Sequence, residues 1–303
     1  MATRRHVLVP LSLFRNREFA SINLATFLIY GALYVSFAYT ALLYQGTLGY
    51  TATAAAIIGL PGSLMIVLLS ARVGRLSSRF GARFFLVLGP IVAGAGQLWL
   101  ARLPTDSAPW LAELGTPASL IPPADVLIDV LPSVLGLGIG MAMVVAPLTS
   151  TLMSSVPARN TGLGSAINNA LSRVGQPLLG AVIFIAISAS FYSALAARVP
   201  GIDANDPAVR RSVAPLNPPR AGTPDELASA AKVASVDAFH LAALVSAGLM
   251  FAGSATSMIG LRPSTGRAGG SSGGSPDNGP LSSSTGPAEA TPDDPSSRAA
   301  ERV

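Results

Sequence analysis

From Phe19 to Ala71 the chain contains no Asp, Glu, Lys or Arg, and four arginines, Arg72, Arg75, Arg79 and Arg83, then come within twelve residues. An uncharged run of that length exceeds any core element of a soluble domain and suffices for two membrane crossings of about 20 residues each. Basic residues concentrate in the short loops that stay in the cytoplasm, so the arginine cluster also predicts orientation. Charged residues make up 12% of the sequence, about half the ~25% of a typical soluble domain. The pattern predicts an all-α membrane protein with the lipid bilayer as its first partner.

Six apolar segments are predicted as spans, at about 21–44, 50–71, 84–101, 127–150, 165–192 and 239–261. Each is near the ~20 residues that carry a helix across ~30 Å of hydrocarbon. Barrel strands would be half as long and would alternate strictly, which these do not. Residues 1–20 form an arm carrying Arg4, Arg5, Arg15 and Arg17, and the loop after the fourth span carries Arg159. The turn after the first span is uncharged, and the connection after the third mixes Arg102 with Asp106, Glu113 and Asp125. This asymmetry predicts a multi-pass protein of the inner (plasma) membrane with both termini cytoplasmic and long external connections at 102–126 and 193–238. Residues 262–303, rich in Ser, Gly, Pro and Asp, are expected to be a disordered cytoplasmic tail. Thr3-Arg4-Arg5 faintly resembles a twin-arginine export signal. Pro10, Arg15 and Arg17 interrupt the apolar stretch after it and no Ala-x-Ala site appears, so the expectation is a cytoplasmic arm.

Several function classes drop out. The chain has no cysteine, hence no disulfide, thiolate metal site or Cys nucleophile. No Walker loop, metal-ligand spacing or dinucleotide fingerprint occurs, so no cofactor, metal or catalytic residue is expected. The net charge of +5 comes from arginines beside apolar spans; membrane topology explains it without a nucleic-acid partner. Pro61, Pro90, Pro132, Pro147 and Pro177 fall inside spans, as kinks in packed helices or as hinges of a transport cycle. Gly136-x-Gly138-x-Gly140 predicts close helix contact within one bundle. Tyr44, Tyr50, Trp99 and Trp110 sit near outer boundaries and are expected to anchor in the interface.

The segment Gly74-Arg75-Leu76-Ser77-Ser78-Arg79-Phe80-Gly81-Ala82-Arg83 resembles the signature G-x-L-a-D-R-x-G-R-R/K of the major facilitator superfamily. Gly74, Leu76, Arg79 and Gly81 match, Arg83 comes one position late, and Ser78 replaces the signature's Asp. As a loop between spans, its glycines would give a tight turn and its arginines would pair with helix carbonyl ends or an acid on another segment. Leu13-Phe14-Arg15-Asn16-Arg17-Glu18-Phe19, Gly59-Leu60-Pro61-Gly62, Asp129-Val130-Leu131-Pro132, Ala146-Pro147-Leu148-Thr149 and Val156-Pro157-Ala158-Arg159-Asn160-Thr161-Gly162 extend the likeness. It covers about 10–192 well and 237–262 loosely, and resembles the C-terminal six-helix half of fourteen-span EmrB/QacA-like drug:proton antiporters. The resemblance implies export of small amphipathic compounds by alternating access, with protons as coupling ion and a complementary N-terminal half or second copy as partner.

By the same likeness the first, second, fourth and fifth spans face the transport pathway. Tyr30, Tyr34 and Phe37 recur at helical spacing and either stack on a flat or cationic substrate or pack against helices. Met141 and Met143 are adaptable cavity contacts or core filler. Asn168, Asn169 and Arg173 open the fifth span, where Arg173 either faces an inner vestibule or snorkels. Asp129 is either a proton site, its pKa raised by desolvation, or a wet boundary residue. Gln97 and Gln176 read as interhelical hydrogen-bond donors. The competing reading is a non-transporting membrane remnant or an assembly or regulatory subunit. A remote one is an intramembrane serine protease using Ser165 and His240, whose expected positions at opposite faces are incompatible with a dyad.

Overall fold

A computed structural model describes residues 11–105 and 107–261. The expected tail at 262–303 and the first ten residues of the arm, with Arg4 and Arg5, lie outside the described residues. Among the described residues the structure is helical with no strand. Its α-helices are α1 (Arg17–Leu42), α2 (Ala52–Phe80), α3 (Ala82–Leu100), α4 (Ala124–Asp129), α5 (Leu131–Ser154), α6 (Thr161–Arg198), α7 (Pro207–Ser212) and α8 (Asp225–Gly260). All but the short α4 and α7 are long and apolar enough to cross a bilayer. Successive crossings alternate in direction, so α1, α3 and α6 start at the arginine-rich end and α2, α5 and α8 finish there.

Local chemistry sets the boundaries. Asn16 Oδ1 accepts the Glu18 N–H (3.0 Å) and caps α1, while Asn16 Nδ2 donates to the Ser155 carbonyl (2.8 Å) at the end of α5. The segment predicted as a loop after residue 71 is helical. Arginines leave the hydrocarbon but do not break a helix, so α2 runs on to Phe80, and the turn is made at Gly81 alone, with φ 86°. Helix α5 begins later than predicted, after a break at Val130, because Pro132 supplies no N–H and belongs in a first turn. Helix α8 begins at Asp225 rather than 239: its Ala-rich polar start favours helix, and Asp225 and Glu226 suit the positive end of the helix dipole.

Helix α5 packs along α3 and α2, α1 packs along α8 and α6, and α3 packs on α8 to join the two groups. Exchanging α1, α2 and α3 for α5, α6 and α8 maps the pairs α1–α6 and α1–α8 onto α5–α2 and α5–α3, an internal repeat of the kind transporters use. Glycines set the closest crossings. A Cβ on Gly138 would lie 2.4 Å from the Gly62 carbonyl oxygen of α2, and one on Gly140 2.5 Å from the Gly89 oxygen of α3. The expected small-residue contact is therefore intramolecular, with the middle glycine of the motif serving α2 and Gly140 serving α3. Buried polar groups pin the other group: Asn168 Nδ2 donates to Thr26 Oγ1 (2.8 Å) and Asn23 Oδ1 (3.2 Å), and Tyr39 OH donates to the Gly180 carbonyl (2.8 Å).

The end opposite the arginines is closed by the two long connections. Trp110 Nε1 donates to the Ser119 carbonyl (2.8 Å), the Thr51 N–H to the Trp110 carbonyl (3.2 Å), and the Leu216 N–H to Ser235 Oγ (3.2 Å). His240 Nε2 sits 3.0 Å from the Leu103 carbonyl, so it belongs to this cap, with no hydrogen bond to Ser165. Tyr44, Tyr50 and Trp110 are buried in the cap rather than anchored at a lipid interface as predicted, because the connections bring their own apolar residues, such as Leu103, Ala112, Val213 and Leu216, over them. Trp99 alone of the four is exposed, with the Arg102 guanidinium 3.8 Å above its ring.

Candidate functional site

Helices α1 and α2 meet mainly at the π-helical turn Leu43–Thr47 that links them and diverge from there. The resulting cleft, floored by α5 and closed at the back by Gln97 and Leu100 of α3, has a volume of about 230 Å³. Its lining repeats at helical spacing: Ser36 and Thr40 on α1 and Tyr44 on the turn that continues it, and Ala55, Gly59, Gly62, Ser63 and Ile66 on α2. Residues Ser133, Val134, Leu137, Gly138 and Met141 of α5 form the floor. Phe37, Gly59 and Ser63 are exposed, so the cleft opens sideways between α1 and α2.

Among the described residues, no Asp, Glu, Lys, Arg or His lines this cleft. Its polarity comes from hydroxyls and one amide. The Ser36 and Tyr44 hydroxyls are buried and have no hydrogen-bond partner among the described residues. Both oxygens are themselves shut off from solvent by neighbouring atoms, as are the unpaired Thr47 and Ser257 hydroxyls away from the cleft, so the accessible polarity of the cleft comes from side chains such as Ser63. A neutral, apolar cavity with a few hydroxyls is suited to a small molecule with one polar edge.

Of the residues singled out from the sequence, the structure brings Phe37 and Met141 together in the cleft. Tyr30 and Tyr34 lie lower on α1 with rings 6.4 Å apart, outside the lining. Asn168 is consumed by its bonds to Asn23 and Thr26, and Asn169 and Arg173 are exposed on other sides of α6. Asp129 is half-buried beside the cap, in a separate small cavity with Asp125 and Tyr50. Burial, and then the two carboxylates Asp129 and Asp125, push the Tyr50 phenol above its ordinary pKa.

In the signature segment Gly81 makes the turn, while Gly74 is helical and makes only ordinary contact with Ala146. Leu76 and Arg79 are exposed at the end of α2, and Arg83 Nη2 donates to the Met258 carbonyl (2.7 Å) at the end of α8. The cleft hydroxyls are legible in the sequence as an i, i+4, i+8 stripe at Ser36, Thr40 and Tyr44, which the more conspicuous aromatic stripe one residue away obscures. Gln97, expected as a packing donor, is the amide of the cleft.

Residues 2–180 match the sequence model of the Major Facilitator Superfamily. The chain is 29% identical over 214 residues to the multidrug resistance protein Stp of Mycobacterium tuberculosis, a match covering 69% of this chain and 35% of that protein. It is 24% identical over 180 residues to the multidrug transporter protein MdtP of Bacillus subtilis, covering 58% of this chain and 30% of the relative. The chain thus spans about a third of the length of the curated relatives it matches.

Proposed function

Because the chain belongs to the Major Facilitator Superfamily, we propose that it is one six-helix half of an EmrB/QacA-like exporter, the C-terminal half, which moves small amphipathic compounds by alternating access. The cleft between α1 and α2 is the substrate-contacting surface of this half, with Phe37 and Met141 as apolar contacts and Ser63 as a polar one. The observation that carries this reading is an apolar cleft, with no charged lining among the described residues, that opens sideways between α1 and α2. A cleft open on one flank is half of a cavity, and α2 carries exposed Leu60, Leu64 and Val67 beside the opening. A complementary N-terminal half, or a second copy, closes it.

Coupling to protons needs a carboxylate, and none lines the cleft among the described residues. Asp129 is the candidate on this chain, and the complementary half is the expected source of others. The arginine-rich end faces the cytoplasm in this reading, which puts both termini there in the inner membrane.

The test is accumulation of a fluorescent amphipathic cation in cells producing the chain alone, with an eight-span partner, or with neither. Reduced accumulation only in the paired cells is the expected result. Gly59→Trp, which fills the cleft from a position with nothing within 4 Å of an added Cβ, should abolish that reduction while the protein still inserts. No change in accumulation in any combination would leave the non-transporting subunit as the better account.

A further inference from the structure

At the arginine-rich end a polar pocket of about 670 Å³ lies where α1 begins and α8 ends, lined by Arg15, Arg17, Glu18 and Arg83. Arg17 Nη2 donates to the Ile259 carbonyl (2.8 Å) and Arg83 Nη2 to the Met258 carbonyl (2.7 Å). Each guanidinium has five N–H donors, so most stay available, and Arg15 makes no side-chain hydrogen bond among the described residues. The only ion pair among the described residues is Arg198–Asp237 at the far end, so Glu18, which also lines the pocket, is paired with none of these three and leaves the lining with three positive charges against one negative. The first turn of α1 brings the positive end of its dipole and the last turn of α8 the negative end of its own, so the positive balance of the pocket comes from the three guanidinium groups.

This pocket does not end in water on all sides. Arg83 also heads a groove of about 450 Å³ on the outer surface of α3. The groove is floored by Phe84, Val87, Leu88 and Ile91, the i, i+3, i+4, i+7 stripe of α3, with Met258 of α8 as its rim. Phe84, Ile91 and Met258 are all exposed. The stripe rises roughly 10 Å from the arginines at the rise of an α-helix. Three cations at the membrane boundary, continuous with an apolar channel into the hydrocarbon, match a molecule with an anionic head and an acyl tail.

We propose that Arg15, Arg17 and Arg83 hold the phosphate-bearing head of an anionic phospholipid, with one acyl chain lying along the α3 groove. Basic pockets between membrane helices recognise such heads, and arginine suits phosphate through parallel N–H donors. The lipid would also screen the arginines that clasp the carbonyl end of α8, linking headgroup binding to how α1, α3 and α8 are held together. This site is on a different face from the cleft and does not depend on transport.

The test is titration of the purified full chain in detergent with phosphatidylglycerol or phosphatidylcholine, counting retained lipids by native mass spectrometry. One phosphatidylglycerol retained in clear preference to phosphatidylcholine is expected. Arg15→Gln, which removes no side-chain hydrogen bond of the described residues, should weaken the preference about fivefold, and Arg15→Gln with Arg83→Gln should remove most of it. Equal retention of the two lipids, or a preference untouched in a double variant that unfolds at the wild-type temperature, would overturn the proposal. Glycerophosphoglycerol, the head without its chains, and inorganic phosphate separate the sources. Displacement of the lipid by either at equal concentration would make the pocket a soluble-anion site and defeat the lipid assignment.

Discussion

The most apolar stretches of α2 and α6 are the most apolar of any of the six helices and the least buried: 17% and 22% of them lie inside the protein, against 50% and 56% for the corresponding stretches of α3 and α8. In water that order would be reversed, because burial follows hydrophobicity. In a bilayer the lipid tails are as apolar as leucine, so apolar surface has no reason to hide, and helices associate by close fit and hydrogen bonds. Helix α8 shows the consequence, since twelve of its fifteen buried residues are Ala, Ser or Gly. Helix α2 shows the converse, with Leu60, Leu64, Val67 and Leu68 all facing away from the chain. Small residues bring the helices together where they cross, and large apolar side chains on the flanks of α2 and α6 face outward.

That contrast breaks most visibly at a glycine crossing. Gly138→Leu drives a side chain into the backbone of Gly62 and should destabilise the bundle by about 3 kcal/mol or more, whereas Gly248→Leu, with nothing within 4 Å of an added Cβ, should stay within about 0.5 kcal/mol. Thermal unfolding in detergent measures both, and equal effects would remove close fit as the organising force. Next in size is Asn168→Leu, which strips the hydrogen bonds from Asn168 to Asn23 and Thr26 of α1 and should cost about 1 kcal/mol in the same assay. An unchanged midpoint would mean that the glycine contacts and the Tyr39–Gly180 bond suffice to hold α6 on α1.

Exposed positions sharpen the comparison from the other side. Val67→Ser on α2 and Val182→Ser on α6 should each shift the isolated chain by no more than about 0.5 kcal/mol, yet weaken capture of a co-produced N-terminal half. Because the chain has no cysteine, single Val67→Cys and Val182→Cys variants also give clean labelling, and protection of either thiol when the second half is present would distinguish a partner face from a lipid face. A small effect is expected as well at the capped end, where Arg198 and Asp237 form a partly exposed pair. Asp237→Asn should change stability by less than about 1 kcal/mol, and a larger loss would show that the cap depends on that charge.

The run Phe19–Ala71 and the arginines after it suffice to identify an all-α membrane protein, because twenty apolar residues in a row have few other uses. The glycine motif of α5 is legible too, though which glycine meets which helix is not, since that depends on how α2 and α3 are rotated. Sequence and structure part where a helix outlasts its membrane span: α2 continues through its arginines to Phe80, and α8 starts at Asp225. Hydropathy reports the hydrocarbon slab, whereas a helix ends only where a residue such as Gly81 turns the backbone. Tyr44, Tyr50 and Trp110 look like interfacial anchors because nothing local in 102–123 or 199–224 announces that those connections fold back over the bundle.

What the residues by themselves determined is the solvent: crossings, their alternation and the basic end follow from composition along the chain, since transfer into lipid is a local property of each segment. What only the tertiary structure decided is which side chains share a space. Ser36, Gln97 and Met141 come from three helices, and Arg15, Arg17 and Arg83 from two segments far apart in sequence. Their meeting depends on helix rotation and on crossings set by single glycines, which are properties of pairs of helices and of no one stretch of sequence.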